Sequence, residues 1–164
     1  MAVEGGVERG TKAVAEGREI ILKHGELGTL DLYEHSAATA HLAAGRTDEG
    51  LAIIERLIGE CAAGGVRLFE ADLHRLHGEL LLAASAQTTE AENSFRQAIT
   101  IAQRQQTKSW ELRATLSLVR FLMKQNRRDE ARSMLTEVYN WFTEGFDTAD
   151  LKEAKVLLDE LAAP

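Results

Sequence analysis

Few residues of this 164-residue chain have the types and spacing that chemistry requires. His74 and His77 lie three residues apart, so a helix places both imidazoles near one face, where two ligands of a metal site can begin. Further ligands are needed, and Asp72 lies off that face, so we interpret both histidines as structural. The segment GGVERGTK, Gly5 to Lys12, is close to a phosphate-binding loop. Its Thr precedes its Lys, however, and no strand leads into it, so we expect no nucleotide site.

Nothing in the sequence assembles a catalytic group. None of the serines lies in a G-x-S-x-G setting. Acidic pairs such as Glu90 and Glu92 stand near a helix start, where the helix dipole favours negative charge without any role in catalysis. Acid–base chemistry would need a group whose pKa is shifted in a closed pocket. We therefore predict that the chain is not an enzyme and expect neither a cofactor nor a metal ion.

The remaining candidate chemistry is the binding of anions by arginine. Arg113, Arg120 and Arg127 are seven residues apart and so stand near one face of a helix. Residues 96–132 contain nine basic and three acidic residues, a net charge of +6, which leaves −13 for the rest because the whole chain carries −7. This cluster is either a solvated helical face or an anion-binding patch. The overall acidity argues against nucleic acid as a partner.

Composition predicts that helices position these residues. The only proline is Pro164, and Ala, Leu, Glu and Arg are abundant. Glycines at Gly45 and Gly64 are typical helix stops, Thr89 with Glu92 suggests a capping box, and Thr148 is a good N-cap. The single cysteine, Cys61, is predicted to be a small core residue. The predicted helices cover residues 8–24, 31–44, 48–62, 67–85, 89–105, 108–125, 129–143 and 148–162.

Helix starts recur at nearly one interval. Small residues stand at Gly10, Gly50, Ala91 and Ala131, at intervals of 40, 41 and 40 residues. Each is followed by mostly apolar residues at +4, +7 and +11, which trace one helical stripe: Val14/Gly17/Ile21, Ile54/Leu57/Cys61, Phe95/Ala98/Ala102 and Leu135/Val138/Phe142. Such a period predicts stacked helical hairpins, an all-α superhelix or solenoid, because each unit needs its neighbours to bury its stripe.

The repeat frame divides one domain, residues 1–164, into about three and a half hairpins and a cap. Residues 8–24 are the second helix of a truncated unit, residues 31–63, 67–105 and 108–143 are repeats, and residues 148–162 form a capping helix. Because the chain opens in the middle of a hairpin, we expect it to be a fragment of a longer array. Since it has neither a leader pattern nor a long apolar run, we expect a cytoplasmic location and no membrane contact.

The repeat residues resemble the tetratricopeptide family. Gly78, Ala91, Phe95 and Ala98 match its pattern of small and aromatic positions in one unit, while Val119 stands where the third unit should have a small residue. The family's unit is about 34 residues, whereas the unit here is about 40. This resemblance implies a tetratricopeptide-like fold that binds proteins.

A closer resemblance covers most of the chain. The stretches AGRTDEGLAIIERLI, EADLHRLHGELLLAAS, AENSFRQAITIAQRQQTKSWELRATLSL and VYNWFTEGFDTADLKEAKVLLDEL resemble the tetratricopeptide-like C-terminal region of large bacterial signalling proteins. Those proteins carry a class III adenylate/guanylate cyclase domain or a transcription-factor domain, followed by a signal-transduction ATPase. The resemblance implies a regulatory or adaptor module for signal transduction, with no active site of its own.

The first helix of each tetratricopeptide hairpin lines the inner groove, which selects the candidate binding residues. These are Arg75, Glu79, Arg113, Leu116, Arg120, Met123 and Lys124. Arginine pairs with carboxylates in a bidentate manner, so we hypothesise a protein or peptide partner with an acidic segment, or another domain of the parent chain. Self-association as a homodimer or intramolecular scaffold, and small-ligand sensing, stay open as alternatives. Trp110, Trp141, Phe142 and Phe146 are expected to pack the last two helices, or to offer a docking spot if Trp141 or Phe146 is exposed.

Overall fold

The structure is a computed structural model that describes residues 12–13, 15–17, 19–20, 23, 27–65, 67–85 and 88–163. Within these residues the chain is entirely helical, without a strand. Seven helices have defined bounds: α1 (Leu27–Ala43), α2 (Thr47–Ala62), α3 (Glu70–Ser85), α4 (Thr88–Arg104), α5 (Lys108–Lys124), α6 (Arg128–Tyr139) and α7 (Ala149–Ala162). The described residues between 12 and 23 are helical too. The rest of the helix predicted at 8–24, and the glycine-rich segment before Lys12, lie outside the described residues.

The helices pack in chain order, as the repeat spacing predicts. Each helix from α1 to α7 contacts the next one, and α1 also contacts α3, α3 contacts α5, and α5 contacts α7. Among the described residues, the backbones of α2, α4 and α6 do not pack against one another, and α4 and α6 meet through an ion pair between Arg96 and Glu130. The odd-numbered helices therefore lie side by side along the stack, and we call the surface that they form the inner face.

The predicted apolar stripes of α2, α4 and α6 form the core, except that Phe142 lies beyond the end of α6 and is only partly buried, while Val14 and Ile21 of the first stripe lie outside the described residues. Ile54, Phe95 and Leu135, at equivalent positions of α2, α4 and α6, are each fully buried. Burying a side chain of this size contributes roughly 2–3 kcal/mol. Gly78 of α3 lets Phe95 approach closely, because a Cβ atom at Gly78 would lie 2.6 Å from Phe95 Cε1. Gly50 and Gly78 therefore both have a packing reason to lack a side chain, since a Cβ atom at Gly50 would lie 2.6 Å from Leu80 Cδ2. Cys61, at 4% exposure, is a core residue as predicted.

Helix ends agree with the sequence in some places and differ in others. Gly45 and Gly64 have φ of +69° and +95°, which confirms both as left-handed stops. Gln106 and Asn126 adopt the same region, with φ of 56° and 59°, although they are not glycine. For a residue with a side chain, this left-handed conformation costs about 1 kcal/mol of backbone strain.

Four boundary predictions need correction, and one of them is the start of α3, which begins at Glu70 and not at 67. Helix α1 begins at Leu27, before the predicted 31, and α6 ends at Tyr139 rather than 143. The Thr89 capping box is wrong, because Thr89 already lies inside α4 and Glu92 pairs with arginines instead. Thr148 is the N-cap of α7 as predicted, but its hydroxyl donates to the Gly145 carbonyl and caps no amide.

Candidate binding groove

A buried carboxylate joins the first two helices of the inner face. Asp72 of α3 is only 2% exposed. His35 Nε2 of α1 lies 2.5 Å from Asp72 Oδ2, and Arg75 donates to the same carboxylate through Nε and Nη2. Burial alone raises the pKa of Asp72, but the hydrogen bonds from His35 and Arg75 outweigh burial, so its pKa lies below the ordinary value. In this part of the inner face, the Asp72 carboxylate is therefore already paired with His35 and Arg75.

Aromatic rings extend the same cluster onto α5. His35 stacks on Phe69 with ring centroids 5.3 Å apart, and Trp110 meets both rings edge-on. The Arg113 guanidinium lies 5.1 Å from the centroid of the Trp110 ring, a cation–π contact. Trp110 thus belongs to the inner face, and the expectation that it packs the last two helices is wrong.

Two arginines of α5 are paired with carboxylates of α7. Arg113 Nε lies 2.7 Å from Asp150 Oδ2, and Arg120 donates to Glu153 through Nε and Nη2. Arg120 Nη1 also lies 3.9 Å from Glu79 Oε1 of α3. The Arg113 and Arg120 side chains remain 48% and 42% exposed. These pairs are solvated ion pairs, each of which contributes at most about 1 kcal/mol.

A cavity with several charged residues in its lining lies beside these pairs. We call it the arginine cavity; its volume is about 230 Å³. Its lining residues are Arg75, Arg113, Leu116, Ser117, Arg120, Asp150 and Glu153. It therefore collects guanidinium groups from α3 and α5 and carboxylates from α7.

The structure brings together most of the candidate groove residues and separates two. Arg75, Arg113, Leu116 and Arg120 all line the arginine cavity, and Glu79 reaches it through Arg120. Leu116 is 2% exposed and forms part of the floor. Met123 packs against the main core instead, and Lys124 is the exposed last residue of α5, outside the cavity lining.

Sequence reasoning missed three residues of this site. Asp150 and Glu153 come from α7, more than thirty residues from the arginines they meet. Their only signal in the sequence is the spacing of three residues, which places both carboxylates on one face of the capping helix. Ser117 was one of many serines without a catalytic setting, and only packing places it in the cavity wall.

Arg127, predicted to share a face with Arg113 and Arg120, belongs to a different cluster. It follows the end of α5 and bonds to Glu92 of α4 and Glu130 of α6. Arg96 bonds to the same two carboxylates. The hydrogen bond from Arg127 is the main reason that the pKa of Glu92 lies below its ordinary value. A cavity of about 350 Å³ lies beside this cluster, lined by residues that include Glu92 and Arg127.

A larger cavity lies at the C-terminal end of the inner face, and we call it the aromatic cavity. Its volume is about 600 Å³, and its walls include Leu112, Trp141, Phe142 and Leu151. Trp141 is 58% exposed, with the Lys108 ammonium 5.6 Å from its ring centroid. Phe146 is also exposed, so both aromatic residues whose exposure would suggest docking are indeed exposed.

Of the two histidines that are three residues apart, His74 is buried and His77 is partly buried. His77 Nδ1 lies 2.9 Å from the Ser94 hydroxyl, and Nε2 lies 3.8 Å from Glu55. Burial lowers the pKa of both His74 and His77. Over the described ranges, no group of three His, Cys, Asp or Glu side chains is placed to hold a metal ion. In the same ranges, no helix is long and apolar enough to cross a bilayer.

Comparison of the chain with models of protein families, with curated proteins and with solved structures found no match.

Proposed function

We propose that this chain is a non-catalytic protein-interaction module with a tetratricopeptide-like fold. The ordered helical pairs, and the small residues Gly50, Gly78 and Ala91 packed at their crossings, support this choice of repeat. By its resemblance to the C-terminal regions of bacterial cyclase and ATPase signalling proteins, we assign it to a cytoplasmic parent of that kind. Its role there is regulatory, through binding another protein or another domain.

The observation that carries this proposal is the gathering of Arg75, Arg113 and Arg120 around one cavity on the inner face. Guanidinium groups recognise carboxylates through paired N–H donors, and they tolerate partial loss of water. Two of the three, Arg113 and Arg120, keep more than two fifths of their side-chain surface exposed. An acidic partner segment can reach them without unfolding the domain.

The carboxylates of α7 compete with that partner for the two arginines of α5. Asp150 and Glu153 already pair with Arg113 and Arg120, so an incoming acidic residue must share or replace these contacts. Exposed pairs of this kind are weak, because water and salt screen them. The expected partner is therefore an acidic segment held by several contacts rather than by one ion pair.

Peptide display tests the proposed function directly. Random peptides are selected on the wild-type chain, on Arg113→Gln/Arg120→Gln, and on Arg104→Gln/Arg132→Gln, which removes the same charge from exposed positions away from the arginine cavity. We expect enrichment of acidic peptides on the wild type and the control, and loss of that enrichment on the first variant. The same acidic peptides enriched on all three proteins would contradict the proposal.

The aromatic cavity favours a second candidate function, the sensing of a small ligand. Its volume of about 600 Å³ lies within the range of ordinary ligand pockets, about 300–1,000 Å³. Leu112, Phe142 and Leu151 provide apolar walls, and the charged residues of the lining are Arg113, Glu144 and Asp150. A thermal-shift screen of small organic molecules against wild type and Trp141→Ala tests it. A compound that stabilises the wild type but not the variant supports sensing, and a screen without such compounds argues against it.

A further inference from the structure

One buried hydroxyl of the inner face has no hydrogen-bond partner. Ser117 is 3% exposed, and its Oγ atom is buried without a partner in the structure. Other helical hydroxyls, such as those of Ser36 and Ser94, donate to the carbonyl four residues earlier. An unpaired buried hydroxyl destabilises a fold, so its presence calls for a physical reason.

The position of Ser117 supplies that reason. It lies in the wall of the arginine cavity, together with Arg75, Arg113 and Arg120. The charged residues in this lining are three arginines and the two carboxylates Asp150 and Glu153, which gives a net charge of +1. A hydroxyl-bearing residue and guanidinium groups that border one cavity of about 230 Å³ suit a carboxylate, the group that Asp150 and Glu153 already present to Arg113 and Arg120.

We propose that the arginine cavity is a binding site for one carboxylate group, the acidic side chain of a partner segment, with Ser117 as a donor in its wall. This inference rests on the proposed function and deepens it, because it names the chemical group that is recognised and a residue that donates a hydrogen bond to it. The Ser117 hydroxyl donates one hydrogen bond to the carboxylate. Arg113 and Arg120 supply charge from α5, and Arg75, whose charge Asp72 already balances, borders the cavity from α3.

The first measurement uses acetate as the probe and the full chain. Sodium acetate replaces sodium chloride at constant ionic strength, while NMR follows the Nε–Hε signals of the arginines. We expect saturating shifts for Arg75, Arg113 and Arg120. Shifts that do not saturate, or that are equal for all arginines, would overturn the site, because they would report only general screening. Inorganic phosphate that binds more tightly than acetate would overturn the assignment to a carboxylate.

The variant Ser117→Ala separates a binding role from a structural one. Loss of a hydrogen bond to a charged group should weaken acetate binding about tenfold. The same change removes an unpaired buried hydroxyl, so Tm should rise by about 2–4 °C. Unchanged acetate binding in Ser117→Ala would overturn the role of the hydroxyl.

Ser94→Ala is the matched control. Ser94 is also a buried helical serine, 7% exposed, but its hydroxyl is bonded to His77 and to the Glu90 carbonyl. Its replacement should lower Tm and leave acetate binding unchanged. The two serine variants thus move stability in opposite directions, and only Ser117→Ala should weaken binding.

A second probe distinguishes this inference from the proposed function. Two alanine-based helical peptides are compared, one with glutamates three residues apart and one with glutamines at the same positions. Tighter binding of the glutamate peptide, weakened in Ser117→Ala, supports both proposals. Saturable acetate binding with equal binding of the two peptides would leave a carboxylate site but contradict a peptide partner there. Absence of acetate binding would overturn the site, while peptide display still decides the proposed function.

Discussion

The two halves of the inner face use the same kinds of charges in different surroundings. Between α1 and α3, Asp72 is 2% exposed and is held by His35 and Arg75. Between α5 and α7, Asp150 and Glu153 are 30% and 38% exposed and pair with Arg113 and Arg120. A buried charge needs its partners in order to remain buried, whereas an exposed pair can exchange with water or with another carboxylate. The comparison separates a structural cluster from a candidate binding surface.

The largest expected effect comes from Asp72→Asn. Removing the buried negative charge leaves Arg75 without its carboxylate, so the free energy of unfolding should fall by about 3 kcal/mol. Urea denaturation followed by circular dichroism measures this change. A loss below about 1 kcal/mol, the range of exposed pairs, would show that the two halves do not differ in the way their exposures imply.

The pH dependence of the same cluster gives the second prediction. The pKa of Asp72 is lower in the folded state than its ordinary value of 3.8, so the ionised carboxylate stabilises the fold above that value. This contribution disappears as the pH falls through the folded-state pKa. The stability difference between wild type and Asp72→Asn should therefore be largest near neutral pH and shrink below about pH 3.8. Urea titrations at several pH values measure it, and a difference independent of pH would contradict the prediction.

The smallest effect on stability is expected for Asp150→Asn/Glu153→Gln. Each exposed pair contributes at most about 1 kcal/mol, so the fold should be little changed. Removing two negative charges raises the net charge of the arginine cavity lining from +1 to +3, so acetate should bind more tightly. The NMR titration described above measures the affinity.

A matched variant controls for net charge in that experiment. Asp159→Asn/Glu160→Gln removes the same charge from exposed side chains of the same helix, where Asp159 pairs with Lys155 and not with an arginine of α5. It should leave acetate binding unchanged. Equal tightening in both double variants would show that overall charge, and not the α7 contacts, governs access to the cavity.

The repeat pattern predicted much of the fold because it follows from burial. An apolar residue four positions after each small residue must face the core, and Ile54, Phe95 and Leu135 are fully buried in accordance with that rule. The helix starts and stops follow less directly from the sequence, because local groups compete for the terminal backbone hydrogen bonds. Gln106 and Asn126, for example, take the left-handed turn that glycine would signal.

The candidate site was predictable only in part. Its arginines have a regular spacing along one helix, so sequence alone places Arg113 and Arg120 together. Arg127 has the same spacing, but α5 ends at Lys124 and the backbone then turns, which directs Arg127 to Glu92 and Glu130. A seven-residue interval is meaningful only while the helix continues.

Local sequence determined that this chain forms paired helices with a shared apolar seam, because helix propensity and the spacing of apolar residues act over a few turns. Only tertiary structure decided which charges meet. The pairing of Asp150 and Glu153 with α5, the burial of Asp72 and the isolation of the Ser117 hydroxyl all depend on how helices distant in the chain are set side by side. Coulomb attraction depends on the distance between two charges, and desolvation depends on how deeply each charge is buried. Neither the distance nor the burial follows from the order of the residues in the chain.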